Sequence, residues 1–277
     1  MTTSKVSGDA SEAVGKTRFD DIYDQADPRA YFAQLAPLEY VIPHHAQAVF
    51  RRTAAERAAL ADGGAGRPAV LDVCCSYGIN AALLNHDVTL AELYTRYTSR
   101  RAGAMSTDEL AAWDREFYAA RRRSEAYPVY GLDVAPRAIA YARRVGLLDA
   151  GFSDDLENSE PGPELTDALE RVGLVTLSGG GSYVTDRTFT ALLAGVRRPL
   201  WVSAFVLRTV SYAPIAGSLT AHGLRTTSDL TRTWPQRLFT DDRERRYAID
   251  TLRRRGIDPV GREDRGRFHA VLHESRP

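Results

Sequence analysis

From residue 69 onward, short apolar runs alternate with segments whose apolar residues recur every three or four positions. A run of four to eight apolar residues closed by turn residues reads as a strand buried on both faces, and a 3.6-residue period as a helix packed by one side. AVLDVCC (69–75), YPVYGLDV (127–134), GLVTLSG (173–179) and PLWVSAFVL (199–207) are the strands of this reading. INAALLN (79–85), APRAIAYARRVGLLD (135–149), TDRTFTALLAGVRR (185–198) and ERRYAIDTLRRRG (244–256) are the helices. The chain closes on IDPVGRE (257–263) and GRFHAVLHE (266–274), two strand-like stretches about a charged turn, which predict an antiparallel ending. Strands alternating with helices predict parallel units with right-handed crossovers. The expectation is α/β.

Two stretches depart from the rhythm. Residues 86–126 separate the first helix from the second strand, where a connection of a few residues is usual. They carry two helical patterns, and STDE opens the second with a capping box at Ser106 or Thr107. This predicts a helical insertion, and insertions at the mouth of a sheet often cap a site. Upstream, residues 1–17 are small, polar and expected to be flexible, while 18–66 are helical and aromatic. The latter segment is too short for a core of its own, which predicts a lid over a domain formed by 67–277. A proline at position 43 suits the first turn of its main helix, and ADGGAGRP breaks the chain before the first strand.

Charge narrows the function classes. Thirty-six basic residues balance thirty-six acidic ones, which argues against a nucleic-acid binder working by phosphate neutralisation or an electrostatic membrane partner. Only Lys5 and Lys16 are lysines; the other basic residues are arginines, a bias expected of a GC-rich bacterial genome. The longest strongly apolar stretch, 199–207, falls far short of the roughly 20 residues of a spanning helix. With no apolar run at the N-terminus, the expected location is cytoplasmic. Cys74 and Cys75 are adjacent, a poor arrangement for a relaxed disulfide or a zinc site, so no metal is expected.

The chemistry concentrates in LDVCCSYGIN, Leu71 to Asn80, where a buried strand ends in a tight turn and a helix begins. Ligands of open α/β sheets bind at such strand ends. A single glycine, Gly78, fails the P-loop and dinucleotide fingerprints. Asp72 would repel a pyrophosphate and welcome an ammonium group. The stretch resembles the first motif of class I S-adenosylmethionine-dependent methyltransferases, [LV]-[DE]-x-G-C-G-x-G. Asp72, Cys75 and Gly78 match, whereas Cys74 and Ser76 stand where that pattern has glycine. GLDVAPRAIAYAR matches the second motif, and the resemblance implies that Asp133, next to Val134, holds the ribose hydroxyls. Asp154-Asp155-Leu156 falls where a third strand would end and an acidic side chain meets the adenine amine. VTLSGGG ends a fourth strand in small residues, Ser178 among them. The resemblance covers roughly residues 69–273 and implies a Rossmann-like sheet with an antiparallel last strand, a bound S-adenosylmethionine, and cofactor contacts from Asp72, Cys74, Ser76, Tyr77, Gly78, Asp133, Val134, Asp155, Leu156 and Ser178. Taken singly, Asp72 also reads as a turn residue and Asp133 as a helix cap. Asp133 stands sixty-one positions after Asp72, not the usual twenty or so.

Catalytic candidates follow from the strand ends. Ser178, Ser182 and Tyr183 occupy the turn after the fourth strand, and Arg208, Ser211 and Tyr212 follow the fifth. Tyr183 and Ser211 are the groups best suited to orient a nucleophile. Phe19, Tyr23, Tyr31, Phe32 and Tyr40 could fold over the site, where aromatic faces stabilise a sulfonium; core packing is the alternative use of each. His44-His45 reads as a solvent-facing helix start. The leading expectation is a small-molecule methyltransferase of bacterial specialised metabolism. The second is cyclisation of S-adenosylmethionine with release of methylthioadenosine, as in azetidine-2-carboxylate synthases. The third is a non-catalytic binding module.

Overall fold

The computed structural model describes residues 15–17, 19–60, 67–197 and 199–277. Most of the expected flexible terminus and most of the ADGGAGRP break lie outside these residues.

The N-terminal segment forms α1 (Asp20–Tyr23), α2 (Arg29–Leu35) and α3 (Ile42–Ala59), with proline in the first turn of α3. Then come β1 (Ala69–Val73) and α4 (Ile79–Asn85). The insertion holds α5 (Leu90–Tyr97), α6 (Arg100–Gly103) and α7 (Thr107–Ala119). Ser106 is the N-cap of α7, and its hydroxyl and the Glu109 carboxylate each receive the other's backbone N–H. Next are β2 (Val129–Leu132), α8 (Pro136–Arg144), β3 (Ala150–Phe152), α9 (Pro163–Leu169) and β4 (Val172–Ser178). α10 (Asp186–Gly195), β5 (Trp201–Leu207), α11 (Ala213–Ala221), β6 (Arg225–Ser228), β7 (Trp234–Leu238), α12 (Asp242–Arg254) and β8 (Arg267–Arg276) complete the chain.

The strands form one sheet in the order β3-β2-β1-β4-β5-β8-β6. β1 to β5 are parallel and β8 runs antiparallel to β5. β6 and β7 pair with successive halves of β8. The sheet is mostly parallel and closed by an antiparallel strand, as the resemblance implied. The expected strand at 257–263 is absent. That stretch is a turn running into a 3-10 helix at Glu263–Arg265, and β8 finds its partners in β5, β6 and β7 instead.

Helices cover both faces. One core layer joins α3, α4 and α8 with the N-terminal helices and the insertion, through residues such as Phe50, Leu83 and Ile139. The other joins α9, α10 and α11 through Leu169, Phe189 and Leu219. The insertion does not cap the ligand cavity described below; it carries the N-terminal helices. Phe32 of α2 stacks on Tyr97 with ring centroids 4.6 Å apart, and Arg29 donates to the carbonyls of Ala102 and Met105 at 3.0 and 2.8 Å. Buried Asp114 of α7 ties this platform to the sheet layer, accepting from Arg96, Tyr97 and Tyr141, each at 2.7 Å. No helix among the described residues is long and apolar enough to cross a membrane.

Candidate functional site

The carboxyl ends of β1, β2, β3 and β4 open into a cavity of about 320 Å³, inside the range of small-ligand sites, about 300–1,000 Å³. Its floor is the turn after β1. Cys74, Ser76 and Gly78 all have left-handed backbones, with φ of 56°, 49° and 75°. These are the three positions at which the methyltransferase motif has glycine. The turn therefore keeps a glycine conformation with side chains at two of the three places, each at a cost of about 1–2 kcal/mol.

Hydrogen bonds hold that conformation. Asp133, just past β2, accepts from the Ser76 N–H at 2.8 Å and from the Ala135 N–H at 3.0 Å. A carboxylate offers about four acceptor positions, so two N–H groups leave capacity for a ligand. Burial pushes its carboxyl above the ordinary range. Val134 beside it is an apolar side chain left 65 % exposed at the cavity. Leu156 lies on the far side, after β3, with Asp154, Asp155 and Glu157. Asp154 accepts from the Gly162 N–H at 2.6 Å, and Asp155 from Asn158 at 2.7 Å. Burial favours the neutral form of Glu157, yet hydrogen bonds from Thr188 and Thr185 at the start of α10 outweigh it and hold the carboxyl below its ordinary value.

The inner wall is tyrosine. Tyr23, Tyr31 and Tyr40 reach the cavity from the N-terminal segment and Tyr183 from the turn after β4. Tyr31 meets Tyr23 and Tyr40 edge-on at 5.9 and 6.3 Å. Burial raises the phenol pKa of all three N-terminal tyrosines, so they stay un-ionised. The turn is bare where Tyr40 approaches. A Cβ on Gly179, whose φ is +81°, would lie 1.9 Å from the Tyr40 hydroxyl, and one on Gly180 would lie 2.3 Å from Cys74 Cβ. Lys16 closes this end: Nζ donates to Ser182 Oγ at 2.6 Å and sits 5.2 Å from the centre of the Tyr183 ring.

Of the residues expected from sequence, Cys74, Ser76, Asp133, Val134, Asp155, Leu156, Ser178 and Tyr183 line the cavity. Four others do not. Asp72 lies beneath it, 1 % exposed, accepting at Oδ1 from Asn80 Nδ2 at 3.0 Å and Thr176 Oγ1 at 2.8 Å. Its Oδ2 has no partner among the described residues, and burial pushes the carboxyl up to about 7. Asn80, which the sequence reading passed over, stands between this acid and the cavity, and Ser178 donates to its Oδ1 at 2.9 Å. Its signal was an amide in the first turn of the helix after the motif. Tyr77 turns away because its hydroxyl is taken up by the N-terminal segment, accepting from the Gln25 N–H at 2.8 Å and facing the Ile22 and Gln25 carbonyls at 3.2 and 3.1 Å. Gly78 packs against Ala142 and Leu147 at the start of α4. Ser211 is exposed at the start of α11, where its hydroxyl accepts from the Ala213 N–H.

Nearby candidates are also accounted for elsewhere. Arg208 forms a buried pair with Glu263, and Tyr212 stacks on His273 at 4.1 Å. Phe19 faces Arg237 and Phe32 faces the insertion. His44 is exposed at the start of α3 as expected, whereas His45 beside it is half-buried. Among the described residues no cluster of His, Cys, Asp or Glu is arranged to hold a metal ion.

No family model and no curated protein matches the chain. Among solved structures it is similar to the YcgJ protein from Bacillus subtilis, at 11 % identity over 84 % of this chain and 98 % of that one, with a TM-score of 0.47. It is similar at 15 % identity to magnesium protoporphyrin IX methyltransferase from Synechocystis PCC 6803 with bound SAH, over 82 % and 83 % of the two chains, with a TM-score of 0.36. A structure described as "Conversion of a Disulfide Bond into a Thioacetal Group during Echinomycin Biosynthesis" is 18 % identical over 93 % and 90 %, with a TM-score of 0.44.

Proposed function

We propose that this chain is an S-adenosylmethionine-dependent methyltransferase acting on a small molecule. The observation that carries the reading is one cavity in which Asp133 and Val134 after β2, Asp155 and Leu156 after β3, and the left-handed turn after β1 converge. The residues fit the cofactor. Asp133 has acceptor capacity for two ribose hydroxyls, and Val134 and Leu156 offer apolar flanks to a flat base. Ser76 Oγ is buried at the cavity without a partner among the described residues. Gly179 and Gly180 leave room where a side chain would collide.

The bound cofactor supplies an electrophilic methyl carbon: the acceptor's lone pair forms the new bond, the carbon–sulfur pair stays on sulfur as a neutral thioether, and the acceptor's proton goes to solvent. This chain's residues orient and exclude water, which is most of what such a transfer requires. Tyr183, 37 % exposed at the edge of the cavity, offers a hydroxyl that would orient the nucleophile. Tyr23, Tyr31 and Tyr40 wall the reacting end from water.

A second reading is favoured by one observation, the size of the cavity. At about 320 Å³ it stands at the low end of small-ligand sites, room for one nucleoside-sized ligand. Cyclisation needs no second substrate: the cofactor's own amine attacks its γ-carbon, the γ-carbon–sulfur bond breaks, methylthioadenosine leaves and a proton goes to solvent. Incubation of the purified protein with S-adenosylmethionine alone separates the two. Methylthioadenosine together with azetidine-2-carboxylate, formed above the level of a protein-free control, would establish cyclisation and overturn methyl transfer as the reaction. An inert mixture that yields S-adenosylhomocysteine once small amine, hydroxyl and thiol acceptors are added would establish methyl transfer.

A further inference from the structure

The Lys16 ammonium borders the cavity beside Tyr183, but Lys16 is not among the residues that line it. The cavity walls carry five carboxylates, those of Asp24, Asp133, Asp154, Asp155 and Glu157, and among the described residues that line it none is Lys, Arg or His. The sequence as a whole is balanced, with thirty-six basic residues against thirty-six acidic ones, so this segregation belongs to the site. Two cations border the tyrosine wall, and other groups hold both. Arg237 is buried in a two-point pair with Glu244, at 2.8 and 2.6 Å, and the Lys16 ammonium lies on Ser182 and beside the Tyr183 ring.

The other wall complements this. Four tyrosines line it; an aromatic face attracts a cation, and the un-ionised phenols of Tyr23, Tyr31 and Tyr40 add no charge of their own. Opposite-charge attraction across a partly dry cavity is stronger than in water, because screening by solvent is reduced. Ser76, whose buried Oγ has no partner among the described residues, marks the same cavity as a place built to receive a polar ligand.

We propose that this cavity selects its nucleoside by charge, holding the cationic sulfonium form at least ten times more tightly than the neutral thioether that the reaction leaves. The inference rests on the cofactor reading above and extends it to turnover. When the methyl group departs, the ligand loses the charge that the acidic and aromatic walls hold, so the thioether product leaves readily and inhibits weakly.

The test uses two ligands that do not react. Sinefungin carries an ammonium in the place of the sulfonium, and S-adenosylhomocysteine carries the neutral thioether. Calorimetry at pH 7.5 should give a dissociation constant at least tenfold lower for sinefungin. Tyr23→Leu removes one ring from the wall, and it should narrow that ratio to below threefold while leaving the thioether affinity within twofold. Equal affinities in the unaltered protein would overturn selection by charge and leave the cofactor reading standing. Failure of both ligands to bind would overturn the cofactor reading and the inference together. A Tyr23→Leu protein that loses both affinities in proportion would show the ring to be structural and would overturn its part in the selection. The wild-type ratio decides the main point even if that variant does not fold.

Discussion

Asp72→Asn tests whether the acid beneath the cavity is a strained charge. The side chain is 1 % exposed, with two donors on Oδ1 and none on Oδ2. Burial lifts its carboxyl from an ordinary 3.8 to about 7, a rise of about three units or about 4 kcal/mol. Between these two values the unfolded chain gives up the proton while the folded one keeps it. The wild-type protein therefore loses about 1.4 kcal/mol of stability for each pH unit gained across that window. The contribution is fully present below pH 3.8 and is lost by the time the pH passes 7. Asparagine keeps the shape and cannot titrate, at the expense of a buried amide left partly unpaired, about 1–3 kcal/mol at every pH. Other groups titrate alike in both proteins and cancel. From pH 5 to pH 8 the variant should thus gain about 2–3 kcal/mol on the wild type, measured as the change in the difference between their urea unfolding free energies. Parallel pH profiles would refute the argument and place a low-pKa, solvated carboxylate at position 72.

Four further outcomes follow from the surroundings of single residues. Asp133→Ala removes the acceptor for Ser76 and Ala135, and calorimetry should find S-adenosylhomocysteine bound at least tenfold more weakly, about 1.4 kcal/mol; unchanged affinity in a folded variant would remove Asp133 from the ligand. Gly179→Ala sets a Cβ at φ +81° and 1.9 Å from the Tyr40 hydroxyl, so it should cost at least about 1 kcal/mol and displace the ring. Gly217→Ala, in helix α11 with nothing within 4 Å, should instead raise stability by up to about 1 kcal/mol, and thermal unfolding of the pair checks both. Tyr77→Phe removes the hydroxyl that accepts from the Gln25 N–H and faces the Ile22 carbonyl. Limited proteolysis should then cut near residues 19–26 several-fold faster, with the main unfolding transition little changed, and an unaltered cleavage rate would show that the N-terminal segment is held by other contacts.

What the sequence determined by itself was the part fixed by local chemistry. β1, β4 and β5 are buried on both faces, so their apolar runs announce them, and chain geometry puts Asp72, Asp133 and Ser178 at or near strand ends whatever else the molecule does. The capping box at Ser106 was readable because a helix start is settled within four residues. β6, an exposed Arg-Thr-Thr-Ser, and β7, which contains a proline, carry no such signal. They are strands because β8 offers them an edge, and pairing across about 30 to 50 residues leaves no local pattern. The same division runs through the site. Composition and spacing marked the turn after β1 as the place of chemistry, but which of its side chains meets a ligand depends on what competes for each one. The N-terminal segment takes the Tyr77 hydroxyl, Asn80 and Thr176 take Asp72, and the insertion supports α2, whose Tyr31 reaches the cavity. Those competitors lie 8 to 104 residues away in sequence. Only folding sets them side by side, because the direction of a polar side chain follows the free energy of the partner it finds and not the residues next to it in the chain.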